Sequence, residues 1–441
     1  MAVAGVVALS ACFIGPDCDF DRCPPGKGSV AALDAQGSER WRTPLSDRST
    51  EPPLVSGDYV LVDGCRAVHV LDAATGRLLL STEEISDTVG VAGGFVWGAD
   101  APDDGKAGQG VRGEPLDGRG GRSIHHAGGG PGESGDFRRT FVVSGDRLVG
   151  THGDVLSVYP AAGGPDRSVQ LPIRPTERLV VVEDRVAVAA ASDGSVVGVD
   201  LATMRLAWRV VPQQVSRRFD LRLEARGETV LVSAVGDSLA GDSGSAPRRT
   251  QEVFAVSASD GTVFWRHLST ELAGADDSVA VLVSPTSVVG VDVATGRQRW
   301  SLRAQPGHTG GLADLGLTTD PTAPVVAGST VALPGVSLQG QPVVVGVDAR
   351  TGRELWRRDG PVQPVGLTDT FGALAWDESR ARDSHAWLAA LDPRTGEQVW
   401  KQQLTAERVT EPHPRAHLAG DPARSQTILL DLPQVPQGGC Y

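Results

Sequence analysis

The chain has very little lysine. Only Lys27, Lys106 and Lys401 occur among 41 basic residues, so arginine carries nearly all of the positive charge. That usage reads as the codon bias of a GC-rich bacterium, not as chemistry. Positive charge itself is in deficit: 54 acidic residues leave a formal net charge of −13. Nucleic acid needs a basic footprint for its phosphates, so this balance argues against that partner class. Cysteine is sparse as well. The five are Cys12, Cys18, Cys23, Cys65 and Cys440, with no C-x-x-C pair and no two adjacent. Zinc-ribbon and thioredoxin-type motifs are therefore not expected. No stretch keeps helical periodicity over three turns, which removes the helical fold classes.

Long apolar runs are also missing. The opening "MAVAGVVALSAC" is apolar but far too short to span a bilayer. It has the look of the end of a secretory signal, with small residues before a cut. Leu9-Ser10-Ala11-Cys12 resembles a bacterial lipobox, in which the cysteine becomes the lipidated first residue. The expectation is a signal and lipobox over 1–12, lipidation at Cys12, and a Pro/Gly/Asp-rich tether over 13–28. An exported setting permits disulfides among Cys18, Cys23, Cys65 and Cys440, and four cysteines allow three connectivities.

What the chain has in quantity is one phrase, repeated. Residues 343–359 read "VVVGVDARTGRELWRRD", residues 288–301 "VVGVDVATGRQRWS", and residues 387–401 "WLAALDPRTGEQVWK". The template is an apolar strand, then Asp, Thr-Gly, and a Trp eight places after the Asp. Asp292/Gly296/Trp300, Asp348/Gly352/Trp356 and Asp392/Gly396/Trp400 are complete copies. Asp72 and Gly76 are kept where Leu80 replaces the Trp. Asp200 and Trp208 are kept where Met204 replaces the Gly. Gly261 and Trp265 are kept where Ser257 replaces the Asp. Asp34 begins a copy whose Trp41 comes one place early. Two weak copies, on Asp117/Gly121 and Tyr159/Gly163, fill the gap. Nine anchors, spaced 35 to 57 residues apart, give the period of a four-stranded unit. The two widest spacings contain insertions at 235–251 and 303–324, which read as surface loops.

Each residue type has a mechanical reason. A short carboxylate can accept hydrogen bonds from backbone N–H groups just downstream and so close an Asx-turn. Glycine accepts positive φ at no steric cost. A Trp side chain buries roughly 200 Å² and wants its N–H paired. Six of the nine tryptophans stand at or beside the template position. A unit of this size exposes a hydrophobic face and is stable only when stacked.

The repeat resembles the pyrroloquinoline-quinone-type propeller motif A-x-D-x-x-T-G-x-x-x-W over nearly the whole chain after residue 28. The resemblance implies an all-β chain: a single β-propeller of four-stranded antiparallel blades over 29–435, followed by a short tail over 436–441. Segment 416–432, "AHLAGDPARSQTILLDL", is expected to complete the first blade and close the ring. Family habit sets the expected number of blades at eight, although nine anchors are counted.

The resemblance also implies two kinds of function. Quinoprotein dehydrogenases hold the quinone above calcium on the axis, many beside a disulfide of adjacent cysteines. None of those site residues maps onto this chain, so no catalytic, quinone, calcium or other metal residue is assigned. The other kind is the propeller lipoprotein of the outer-membrane assembly machinery, a scaffold. The expectation is thus a monomeric, non-enzymatic, lipid-anchored propeller that binds a protein at the extracytoplasmic face of the membrane. The alternatives are a quinone dehydrogenase or a ligand-sensing propeller. His69, inside an apolar strand, is expected to be packed. His125-His126 reads as a loop, and no single serine stands out as a nucleophile. Arg42, Arg209, Arg266 and Arg357, beside the Trp positions, are expected to stack on rings or cover blade edges.

Overall fold

The computed structural model describes residues 28–47, 53–64, 66–100, 110–118, 122–125, 140–161, 163–191, 193–213, 219–237, 249–284, 287–303, 325–327, 329–336, 342–359, 362–368, 372–378, 386–403, 416–421 and 426–431. Cys12, Cys18, Cys23, Cys65, Cys440 and His126 lie outside them, as do the signal, the tail and all of the tether but Gly28. Among the described residues, no helix is long and apolar enough to cross a membrane.

The described residues form nine four-stranded antiparallel sheets, one more than the eight expected. The reason lies in the anchors. Each anchor turn joins the third strand of a sheet to its fourth, so sheets and anchors are equal in number. The two weak copies are true units. Blade 3 comprises Ile85–Ala92, Phe95–Asp100, Gly110–Pro115 and Arg122–His125. Blade 4 comprises Phe141–Ser144, Arg147–His152, Val155–Pro160 and Arg167–Gln170.

Blade 1 is assembled from both ends of the chain. Ser29–Leu33 pairs with Glu39–Pro44 on one side and with Gln426–Asp431 on the other, and Ala416–Asp421 completes the sheet. Blade 2 comprises Leu54–Ser56, Tyr59–Asp63, Val68–Asp72 and Leu78–Thr82. Blades 5 to 9 begin at Pro175, Phe219, Glu271, Val325 and Val362 and end at Val210, Leu268, Arg303, Asp359 and Gln403. Every sheet contacts the next, and the ninth contacts the first through strands Val362–Thr368 and Ala416–Asp421. Most of these contacts run between first strands, so the first strands crowd the axis and the fourth strands form the rim.

The core is divided into slices between blades. Val188, Val196 and Trp208 of blade 5 pack on Val230, Val232 and Phe254 of blade 6. Val30, Ala32 and Trp41 of blade 1 pack on Val60, Val62 and Leu71 of blade 2. This explains the continuous apolar runs. The middle strands are covered on both faces, as in Val186–Ala191, where all six residues are buried. The rim strands are covered on one face only; Arg205–Val210 buries just Trp208 and Val210.

The insertion at 235–251 is shorter than expected, because strands Thr229–Asp237 and Arg249–Ser257 extend into it from both sides. Its centre lies outside the described residues, as does nearly all of 303–324.

Shared ownership of blade 1 makes a prediction. A chain ending at Pro414 loses two of that blade's four strands and leaves Ser29–Leu33 as an open edge. Its expected behaviour is loss of the single cooperative melt by circular dichroism.

Candidate functional site

The repeat motif becomes a joint between blades. In the Asp348 turn, one carboxylate oxygen accepts from the backbone N–H groups of Arg350 and Thr351 and from the Thr351 hydroxyl, at 3.1, 2.7 and 2.7 Å. The Gly352 N–H then donates to the Asp348 carbonyl at 2.8 Å, with φ of +69° at the glycine. The Asp72 turn repeats all three carboxylate bonds, the Asp292 turn the two from Thr295, and the Asp392 turn the two from backbone N–H groups. In each case a β-bulge precedes the residue at the Trp position of the rim strand, which is Leu80 in blade 2 and a Trp in the others. It falls at Leu355 in blade 8 and turns Trp356 inward toward the next blade.

The indole then makes two contacts. Its N–H donates to the carbonyl that follows the next blade's anchor: Trp41 to Ala73 at 3.0 Å, Trp208 to Ala258 at 2.7 Å, Trp265 to Val293 at 2.8 Å, Trp300 to Ala349 at 2.6 Å and Trp356 to Pro393 at 2.7 Å. Its ring lies on the motif glycine of that same blade. A Cβ on Gly76, Gly261, Gly296, Gly352 or Gly396 would run into Trp41, Trp208, Trp265, Trp300 or Trp356 respectively. Each ring removes roughly 200 Å² from water. At about 25 cal/mol per Å² that is about 5 kcal/mol before ordering costs.

The sequence carries a further signal of the joint: where the rim residue is a Trp, the residue two places before the anchor is small. Gly198, Gly290 and Gly346 lie directly opposite Trp208, Trp300 and Trp356, and a Cβ there would meet the indole. Ala32, Ala255 and Ala390 oppose Trp41, Trp265 and Trp400. Blade 2 has Val70 at this place, opposite Leu80. A bulkier cross-strand partner accompanies the smaller rim residue.

The departures are compensated in the same terms. Arg167 stands eight places after the Tyr159 anchor of blade 4, opposite Val158, and its guanidinium donates to the carbonyls of Leu201 and Ala202 at 2.7 and 2.8 Å. Leu201 follows the Asp200 anchor, so arginine reaches the acceptor that an indole reaches elsewhere. Among the described residues no ring packs on that turn, and Met204 stands in the glycine's place with φ of +53°. At Asp34 the turn is one residue shorter: Gly37 N–H bonds the Asp34 carbonyl from three places on, not four. This explains the early Trp41. It also takes the acceptor away from the previous blade's indole. Trp400 still packs on Gly37, but its buried Nε1–H has no partner among the described residues.

The motif carboxylates are thus committed to backbone. The hydrogen bond from Arg299, at 2.6 Å, leads the interactions that hold Asp292 down at about 2. Burial pushes Asp348 up, but the bonds from Thr351 and Arg350 outweigh it and its carboxyl lies below the usual range. The arginines beside the Trp positions pair with acids of their own blades: Arg42 with Glu39, Arg209 with Asp193, Arg266 with Glu252 and Arg357 with Glu354. Of these, Arg266 also lies over a ring, 4.7 Å from the centroid of Phe254.

Calcium beneath a quinone requires convergent oxygen donors. Among the described residues no group of three His, Cys, Asp or Glu side chains converges to hold a metal ion, so no step is assigned to that pair.

The rim between blades 5 and 6 is different in character. Val211, Phe264 and Leu268 are 47%, 44% and 47% exposed, and Leu206 is 38% exposed. Arg266 sits among them, donating to the Val211 carbonyl at 3.3 Å and pairing with Glu252, which is almost fully buried. Gln213 N–H also donates to Glu252, at 2.8 Å. A fixed charge pair is therefore framed by exposed apolar side chains.

Fold and joints together define a tryptophan-docked, PQQ-like β-propeller. The chain belongs to the family described as outer membrane protein assembly factor BamB, whose model matches residues 26–164 and 249–430. No curated protein matches. Among solved structures, a eukaryotic initiation factor is 12% identical and has a TM-score of 0.55, covering 86% of this chain and 96% of its own; at that score the two share a fold. BamB from Moraxella catarrhalis is 14% identical over 86% of this chain and 95% of its own, with a TM-score of 0.41. Quinohemoprotein alcohol dehydrogenase ADHIIG from Pseudomonas putida is 13% identical over 93% and 77%, with a TM-score of 0.40.

Two expectations follow from the joints. Gly352→Ala combines a left-handed backbone with a collision against Trp300 and should cost about 3 kcal/mol. Met204→Ala, at the equivalent turn with no ring above it, should cost about 1 kcal/mol or less; urea melts compare the two. Acid provides the second. Asp292 is depressed when folded, so its contribution is complete above the ordinary value of 3.8 and is lost as pH falls toward 2. The melting temperature should fall across that window, and less steeply in Asp292→Asn.

Proposed function

We propose that this chain is a binding scaffold, anchored through lipid at Cys12 and working as a monomer at the extracytoplasmic face of a cell membrane. Its partner is a protein, docked on the rim of blades 5 and 6. The observation that carries this is the grouping of Val211, Phe264 and Leu268, exposed around the Arg266–Glu252 pair. Apolar side chains around a fixed arginine are the composition of a protein-binding patch, where arginine and large apolar groups concentrate the energy. Membership of the BamB family supports the same reading. The repeat carboxylates are committed to turns, so the motif gives the dehydrogenase alternative no residue to work with.

The test is a photo-reactive residue at position 264, cross-linked in membranes of the native host and resolved by mass spectrometry. The expected outcome is one dominant adduct, weakened at least tenfold by adding Leu268→Asp. A cross-linking pattern unchanged by Leu268→Asp, or identical to that of a probe on the rim of blade 8, would rule out this face as the docking site.

A further inference from the structure

The repeat exposes one residue that the fold does not ask for. Three places before the anchor, the other blades carry Ala31, Leu156, Val197, Phe254, Val289, Val345 and Ala389, and blade 3 carries Glu114. Blade 2 carries His69, which is 1% exposed. Burying an imidazole where an apolar side chain serves elsewhere costs free energy unless both ring nitrogens are satisfied. Both are. Nε2 lies 2.5 Å from the Asp47 carboxylate, and Nδ1 lies 3.1 Å from the Ser81 hydroxyl.

The three residues come from three places. Asp47 lies beyond the rim strand of blade 1, and His69 and Ser81 are register partners on the third and rim strands of blade 2. The far oxygen of Asp47 is clamped by the backbone N–H groups of Arg66 and Ala67, at 2.7 and 3.1 Å. Gly64 leaves room for this: a Cβ there would stand 2.5 Å from both carboxylate oxygens. Burial pushes Asp47 up, but the bonds from His69, Arg66 and Ala67 outweigh it and hold the carboxyl below its ordinary value. An ionised carboxylate only accepts, so Nε2 carries the ring proton and Nδ1 is left to accept from Ser81. Asp47 and His69 are buried, while Ser81 is exposed on the rim strand.

We propose that Ser81, His69 and Asp47 form a nucleophile–base–positioning relay, and that Ser81 accepts acyl groups from small activated esters. Nucleophile, base and orienting group within hydrogen-bond reach define such a relay by geometry, whatever the fold. In the step, Ser81 Oγ attacks the ester carbonyl. The Oγ–C bond forms and the C–O bond to the leaving alcohol breaks. The Oγ proton passes to His69 Nδ1 and then to the departing oxygen. Water repeats the sequence on the acyl-serine, releasing the carboxylic acid and restoring Ser81. Asp47 touches no substrate; it positions the imidazole. The site lies on the seam of blades 1 and 2, apart from the rim of blades 5 and 6, and is independent of the scaffold reading.

The test uses the full chain with a fluorophosphonate probe and p-nitrophenyl acetate. The expected result is labelling that maps to Ser81 by peptide mass spectrometry and is abolished in Ser81→Ala. General-base assistance of about 10²-fold or more should be lost in His69→Gln. Asp47→Asn should slow labelling at least tenfold. The wild-type rate should rise with pH as a base-assisted reaction does, and that rise should be absent in His69→Gln. Circular dichroism melts identify any variant that fails to fold, and for these the wild-type pH profile and the Ser81→Ala comparison decide. Labelling no higher than in Ser81→Ala, spread over other serines, or independent of pH would overturn the proposal.

Discussion

The structure depends on one contact made between neighbours: an indole laid across a glycine, with its N–H bonded to the carbonyl just after that neighbour's anchor. The contact joins two blades at once by area and by direction. The area is large and nonspecific. The hydrogen bond sets the register, because each paired indole bonds the same carbonyl, one place after the anchor. The glycine allows the ring to lie flat because it has no Cβ and tolerates positive φ, as at Gly352 and Gly261. A ring of such joints has no free sheet face, so each blade's hydrophobic side is covered by the next.

The exceptions follow the same physics. Where Leu80 replaces the Trp, the small residue opposite becomes Val70. Where Arg167 replaces it, the guanidinium reaches the same carbonyl and the glycine beneath is free to become Met204. Where the Asp34 turn is one residue short, packing survives on Gly37, but the Trp400 N–H has no acceptor among the described residues. A buried donor without a partner costs about 1–3 kcal/mol. This cost falls at the joint next to blade 1, the sheet shared between the two ends of the chain.

The same frame shows what is not structural. The motif aspartates, which might pass for a row of acids around an axis, are committed to backbone amides. His69 stands out for the opposite reason, since the joint has no use for it. The exposed apolar residues of blades 5 and 6 stand out likewise. The faces that joints cover are already buried, and these side chains lie outside them.

Period, strand type, turn chemistry and the identity of the docking residues were all legible in the chain, because each is local. Asp, Thr, Gly and Trp act within nine residues of one another, and alternation reports burial along a single strand. Even the early Trp41 was a readable sign of a shorter turn. The number of sheets among the described residues follows the anchors, which number nine, and not the family habit of eight. Three things were decided only in three dimensions. Arg167 could be known as a tryptophan substitute only once Leu201 was placed opposite it. Trp400 could be known as unpaired only once the Asp34 turn was built. His69 and Ser81 are 12 residues apart and meet as register partners on adjacent strands of blade 2, whereas Asp47 lies 22 residues before His69, beyond the rim strand of blade 1. No local pattern links Asp47 to the other two, because what brings it to them is the stacking of blade 1 on blade 2.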